Sequence, residues 1–346
     1  MKRDVKIEAS VREVLRTWDK VGVDQLELHR IDNFELKVAA TRGKKGEKGI
    51  PARVEEISRD VVVLKDIAGT LDWIIEKRGM DKDKTIFRVN IDGGGDSLKV
   101  VANIFHAGED SEIMFTSLEQ PGRRLSGVNR VILLAYIENL QESWHNLRIL
   151  LELLQLDRIN YRFTADLKII NIVLGISSHS GKYACHICYG TCQLTSGPLR
   201  TFQNLKDMYE LYQEEGFPHK RMQDFSNVVK PCLINPSNLN LEIGDVIAPP
   251  QLHLHIGVAN WAWDLTKQLL GPERYQELVN WCNTRSITIR GYHGSGLDGN
   301  NSKSFFKHSN ELYLLFGEET AMSMADMLQK FDKVTKACFS QDLLPE

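Results

Sequence analysis

Apolar and polar residues alternate from Phe87 to Asp92, with Phe87, Val89 and Ile91 interleaved with Arg88, Asn90 and Asp92. A period of two predicts a half-buried strand. Gly93, Gly94 and Gly95 follow, a turn that bulky residues would resist, and residues 98–105 alternate again as the returning strand of a hairpin. Residues 128–137 (VNRVILLAYI) form an apolar run suited to a strand buried on both faces. The period then changes. Leu140, Trp144, Leu147, Leu151 and Leu154 recur at helical spacing over 140–156. Residues 159–165 return to a strand-like run closed by Asp166, and Leu167, Ile170 and Leu174 mark a helix that starts directly after it.

The flanks are less regular. Residues 9–17 and 67–77 have helical spacing, the second through Leu71, Trp73, Ile74 and Ile75, and residues 61–64 are a short apolar run of either type. Residues 193–247 carry Pro198, Pro218, Pro231 and Pro236 and read as loop-rich, with a short amphipathic stretch at 205–212. Pro249 and Pro250 stop what precedes them. His253 and His255 then alternate with Leu252, Leu254 and Ile256, as in a strand. Helical spacing follows at 258–270, 276–282, 303–316 and 319–339, with a Gly/Asn-rich loop at 291–301. The division expected is a charged, helical N-terminal region (1–80), a core (85–180), and an insertion with a helical C-terminal part (181–346).

The order β-β-β-α-β-α over 87–175 predicts an α/β fold with a ribonuclease H-like core. Asp92 follows the first strand and Asp166 the fourth. Neighbouring parallel strands lie about 4.8 Å apart, so two carboxylates there can share one or two divalent cations. Each also has a plain structural use: Asp92 closes a hairpin turn, and Asp166 caps a helix.

Composition limits the readings. The 346 residues carry 43 Lys and Arg against 46 Asp and Glu, a formal net charge of -3, so contact with nucleic acid must come from local basic patches. The basic loop Arg42-Gly-Lys-Lys-Gly-Glu-Lys48 is one such patch or ordinary solvated surface. No apolar run approaches the roughly 20 residues of a membrane span, and the opening MKRDVKIEAS lacks the apolar stretch of a signal peptide. An intracellular protein, nuclear or cytoplasmic, is expected. Three of six cysteines fall within eight residues, Cys185, Cys188 and Cys192. Cys185-x-x-Cys188 has the spacing of half a zinc site, or is a pair of idle thiols. His253 and His255 suit metal or phosphate, or burial with hydrogen bonds. Trp261 and Trp263 suit stacking on bases, or core packing.

With these segments assembled, the chain resembles the DDE transposase group that includes the Transib elements and the catalytic subunit of the V(D)J recombinase. The matching segments are FRVNIDGGGDSLKV (87–100), FTADLKIINIVLGISSHSGKYACHIC (163–188), PPQLHLHIG (249–257) and GLDGNNSKSFFK (296–307). They come in the family's order and span roughly residues 85–340. The resemblance implies DNA strand cleavage and transfer with Mg²⁺ or Mn²⁺ held by three acids. It puts the first acid at Asp92 and the second at Asp166, half a zinc site at Cys185 and Cys188, and His253 near the active centre. DNA is the implied partner, with a homodimer as the assembly to look for. The family's third acid, a Glu on a late helix beyond two zinc-binding histidines, has no match before Glu346. Glu311, Glu318, Glu319 and Asp326 lack its context, and His293 and His308 are poor substitutes for the histidines. The resemblance therefore implies an incomplete catalytic set, or a non-catalytic DNA-binding or scaffold protein that keeps the fold.

Overall fold

The computed structural model describes residues 17–18, 20–40, 52–94, 97–106, 131–177, 182–183, 185–190, 197–248, 250–289, 296–315 and 318–339. Two compact units divide at residue 248, one covering Met1–Ala248 and the other Pro249–Glu346.

Among the described residues the first unit is built on six strands: β1 (Leu26–Val38), β2 (Arg53–Leu64), β3 (Thr85–Gly94), β4 (Ser97–His106), β5 (Ile132–Glu138) and β6 (Tyr161–Ala165). Their spatial order is β1-β2-β5-β4-β3-β6. All neighbours are antiparallel except β3 and β6, which run parallel. A parallel neighbour needs a crossover, and α2 (Trp144–Leu154), between β5 and β6, lies within it. The fold is thus α/β with a mixed, open sheet. Among the described residues no helix is long and apolar enough to cross a membrane.

The alternation at 87–92 and 98–105 has the structural meaning it predicts. Val89, Ile91, Leu98 and Val100 are buried beneath the helices, and Leu147, Leu150 and Leu154 of α2 meet them in one core. Each fully buried Leu adds roughly 1.5–3 kcal/mol. Ser143 starts α2 by accepting the Asn146 N–H, and Gln155 ends it in the left-handed region. α1 (Ile67–Lys77) and α3 (Leu167–Val173) bury Leu71, Ile74, Ile169 and Ile170 in the same core.

Residues 26–64 depart from expectation. Instead of a helical region they supply β1 and β2, a long hairpin joined to the sheet through Val61–Val63 against β5. The irregularity in β1 between Ile31 and Phe34 breaks the period of two. Much of the hairpin is wet on both sides, so no sustained alternation marks it. The expected helix at 9–17 lies outside the described residues except for Thr17, whose hydroxyl accepts the Leu133 N–H.

α4 (Phe202–Glu214) and the short α5 (Ile243–Val246) complete the first unit. The second contains α6 (Gln251–Leu270), α7 (Tyr275–Thr284), α8 (Gly299–Lys307) and α9 (Glu318–Phe339), packed on Trp263, Trp281, Phe305, Leu312 and Leu328. Here the strand expected at 252–256 is corrected: those residues form the first turns of α6. Five alternating residues fit either period, and the apolar spacing continuing through Ala259, Ala262 and Trp263 decides for the helix.

Candidate functional site

The register of β3 against β6 pairs Ile91 with Ala165. Asp92 and Asp166 are the next residue on each, so the two predicted acids leave neighbouring strands at the same end. Asp92 is exposed and faces Lys99 in the β4 register. Asp166 carries a structural duty as well: its carboxylate accepts the Ile169 N–H at 2.7 Å and caps α3.

A third carboxylate reaches this edge, from a residue the sequence motifs did not single out. Glu142 lies just before the α2 cap, and its side chain lies over the end of β3. A Cβ on Gly93 would sit 1.8 Å from Glu142 Oε1. Only glycine leaves room for that carboxylate, which lies on the face of β3 that Gly93 shares with Leu98, while Asp92 with Lys99 points to the other face. The Lys168 ammonium, two residues beyond Asp166, holds Glu142 Oε2 at 2.6 Å. Glu142 is 12 % exposed and Lys168 58 %. The edge thus carries Asp92, Glu142 and Asp166, with a lysine already seated on one of them. All three offer hard oxygen donors, the type that suits Mg²⁺ or Mn²⁺. As placed, no three His, Cys, Asp or Glu side chains among the described residues converge on one point.

α2 ties this edge to the β1–β2 hairpin through side-chain amides. Asn146 Oδ1 accepts the Glu35 N–H and its Nδ2 donates to the Glu35 carbonyl, both at 2.8 Å. Gln141 repeats the pattern at Lys37, accepting from its N–H at 2.8 Å and donating to its carbonyl at 3.2 Å. Two amides, two residues apart on the strand, satisfy its open side as another strand would.

The Cys185–Cys188 pair lies in the same unit. Its sulfurs are 3.5 Å apart, against about 3.8 Å for two thiolates 2.3 Å from a tetrahedral zinc and about 2.05 Å for a disulfide. Burial raises the Cys188 thiol, but the Gly190 and Gly197 N–H groups, the Cys185 thiol and the Arg200 charge outweigh it and hold it below its ordinary value. Arg200, wholly buried, donates to the carbonyls of Cys188, Tyr183 and Ser226 and lies 4.4 Å from the Tyr189 ring centre. Among the described residues no carboxylate pairs with it. Burial, then Arg200, pushes His186 down to about 4. Cys192 lies outside the described residues.

His253 and His255 belong to the second unit, and Asp92 and Asp166 to the first. His253 falls in the first turn of α6, in the second unit, and its side chain lies outside the described residues. His255 is buried against Phe306 and Phe331, as core packing requires. Trp263 is buried and Trp261 exposed. The loop 42–48 lies outside the described residues.

A family model described as "Domain of unknown function (DUF8703)" matches residues 125–196. That span takes in Glu142, Asp166, Lys168, Cys185 and Cys188. Comparison with curated proteins finds no match.

Proposed function

We propose that this chain derives from a DDE-type transposase and that its sheet is a ribonuclease H-like core keeping a divalent-metal site for nucleic acid at the ends of β3 and β6. The single observation that carries the reading is the parallel pairing of Ile91 with Ala165, from which Asp92 and Asp166 emerge side by side. The order β5-β4-β3-β6, two antiparallel pairings and then a parallel one beside the first hairpin strand, supports the core. Asp92 and Asp166 would hold Mg²⁺ or Mn²⁺, with Glu142 as a third carboxylate that would leave Lys168 and come round the end of β3 from the Gly93 face. When bound, such ions stabilise the attacking and leaving oxygens at a phosphodiester. Cys185 and Cys188 would supply half of a structural zinc site.

One observation favours a second reading, a non-catalytic DNA-binding or scaffold protein: both internal acids are already employed, Asp166 as a cap and Glu142 by Lys168. A plasmid-nicking assay with Mn²⁺ separates the two. Nicking abolished by Asp92→Asn supports a working metal site. DNA bound without nicking, and indifferent to Asp92→Asn, supports the second reading.

A further inference from the structure

Four consecutive residues, Gln141 to Trp144, touch four separate parts of the first unit. Gln141 holds the backbone of Lys37 at the end of β1. Glu142 lies against Gly93 and pairs with Lys168 at the start of α3. Ser143 caps α2. The half-buried Trp144 donates through its indole N–H to the Pro231 carbonyl at 2.9 Å. Its ring has Lys230 Nζ 5.5 Å and Arg148 Cζ 5.7 Å from its centre.

Lys230 is fixed there by backbone. Gly175, at φ +73, brings its carbonyl to the N–H groups of Val229 and Lys230 at 2.8 and 3.2 Å. A Cβ on Gly175 would meet the Lys230 carbonyl oxygen at 1.9 Å. Lys37 and Lys230 are both exposed, and among the described residues neither has a carboxylate partner. The corner therefore presents two exposed lysines from unrelated elements, Lys37 tied through its backbone to Gln141 and Lys230 lying over the Trp144 ring, with Glu142 between Gln141 and Trp144 in sequence.

We infer that this corner, Lys37–Trp144–Lys230, is the track on which a duplex DNA backbone rests as it approaches Asp92 and Asp166. The inference rests on the nucleic-acid reading above and adds the residues that contact the phosphates. Exposed lysines with no carboxylate to neutralise them can replace the counterions of a phosphate backbone, which is the source of salt-dependent affinity. An acidic protein partner fits less well, because Asp92, Glu142 and Asp166 would repel it beside the lysines. The same acids repel DNA until a divalent cation neutralises them, so metal and DNA reinforce each other at this corner.

The test is fluorescence anisotropy of a labelled 30-base-pair DNA duplex with the full chain in the presence of Ca²⁺, which neutralises the acids without supporting cleavage, from 50 to 200 mM KCl. It compares wild type, Lys37→Gln, Lys230→Gln and a control, Lys206→Gln, on the exposed face of α4. Each corner substitution is expected to lower the log–log salt slope by about 0.9 and to weaken binding about eightfold at 100 mM salt, with unchanged melting temperature. The control is expected to match wild type. Binding by wild type with unchanged slopes in both corner variants would overturn this inference while leaving the nucleic-acid reading standing. No DNA binding by wild type would overturn both. Preference for an RNA duplex of the same sequence would overturn the commitment to DNA.

Discussion

Lys168 occupies the carboxylate that a metal would recruit, so replacing it tests whether Glu142 belongs to the site. The ammonium lies 2.6 Å from Glu142 Oε2. At an effective dielectric of about 20 two unit charges 4 Å apart attract by about 4 kcal/mol, which sets a ceiling. Lys168 is 58 % exposed, and pairs open to solvent are worth about 1 kcal/mol at most. A cation that takes Glu142 must first give up that pairing, a penalty of about fivefold in Kd at ~1 kcal/mol. Lys168→Gln should therefore tighten Mn²⁺ binding about fivefold in a calorimetric titration, and more at low ionic strength, where the lost charge is less screened. Glu142→Gln should weaken binding, and in the Lys168→Gln background it should erase the gain. Unchanged or weaker Mn²⁺ affinity in Lys168→Gln would refute the reasoning and return Glu142 and Lys168 to the status of an ordinary ion pair.

Other consequences can be checked separately. Gly93→Ala has no left-handed backbone to strain, yet its Cβ would displace the Glu142 carboxylate, 1.8 Å away; folding should change little while Mn²⁺ affinity shifts as in Glu142→Gln, by calorimetry and thermal melting. Asn146→Ala removes both amide bonds to Glu35, so stability should fall by roughly 2–3 kcal/mol at about 1 kcal/mol per lost bond with added cost for unpaired backbone groups, and amide exchange should accelerate in β1 specifically. Burial raises the Cys282 thiol from 9.0 to about 12, with Arg285 opposing. Above pH 9 the unfolded chain ionises this thiol and the folded one does not, so stability present below pH 9 should be lost by about 1.4 kcal/mol per unit as pH rises toward 12; Cys282→Ala should flatten that part of a urea-denaturation profile. In the native protein at pH 8, iodoacetamide should label Cys188 well before Cys282, as read by mass spectrometry.

The sheet's centre was legible in the sequence because its strands and helices bury one face. Phe87, Val89 and Ile91 alternate for that reason, and the α2 leucines recur at helical spacing against the same core. The Asp166 cap was legible as a start signal. β1 and β2 were not, since a hairpin exposed on both sides has no reason to segregate apolar residues, and the break at Ile31–Phe34 disrupts what period there is. Glu142 was hidden because nothing local distinguishes a Glu preceding a helix cap. Its place against Gly93, next along β3 from Asp92, follows from the crossover that returns β5 through α2 to β6, and from a glycine bare enough to admit it. The available signal was positional: once β-β-β-α-β is accepted, the residues entering the crossover helix are candidates to face the strand ends. Arg200 carries no motif at all, and its importance lies in three carbonyls from separate loops.

The central claim is that Asp92 and Asp166 form one metal site. Calorimetric titration of Mn²⁺ into wild type and into Asp92→Asn/Asp166→Asn tests it most directly, because Asn preserves the α3 cap while removing both charges. The account predicts saturable binding in wild type that disappears in the double variant at unchanged melting temperature. Equal binding in the two proteins, or none in either, would contradict it.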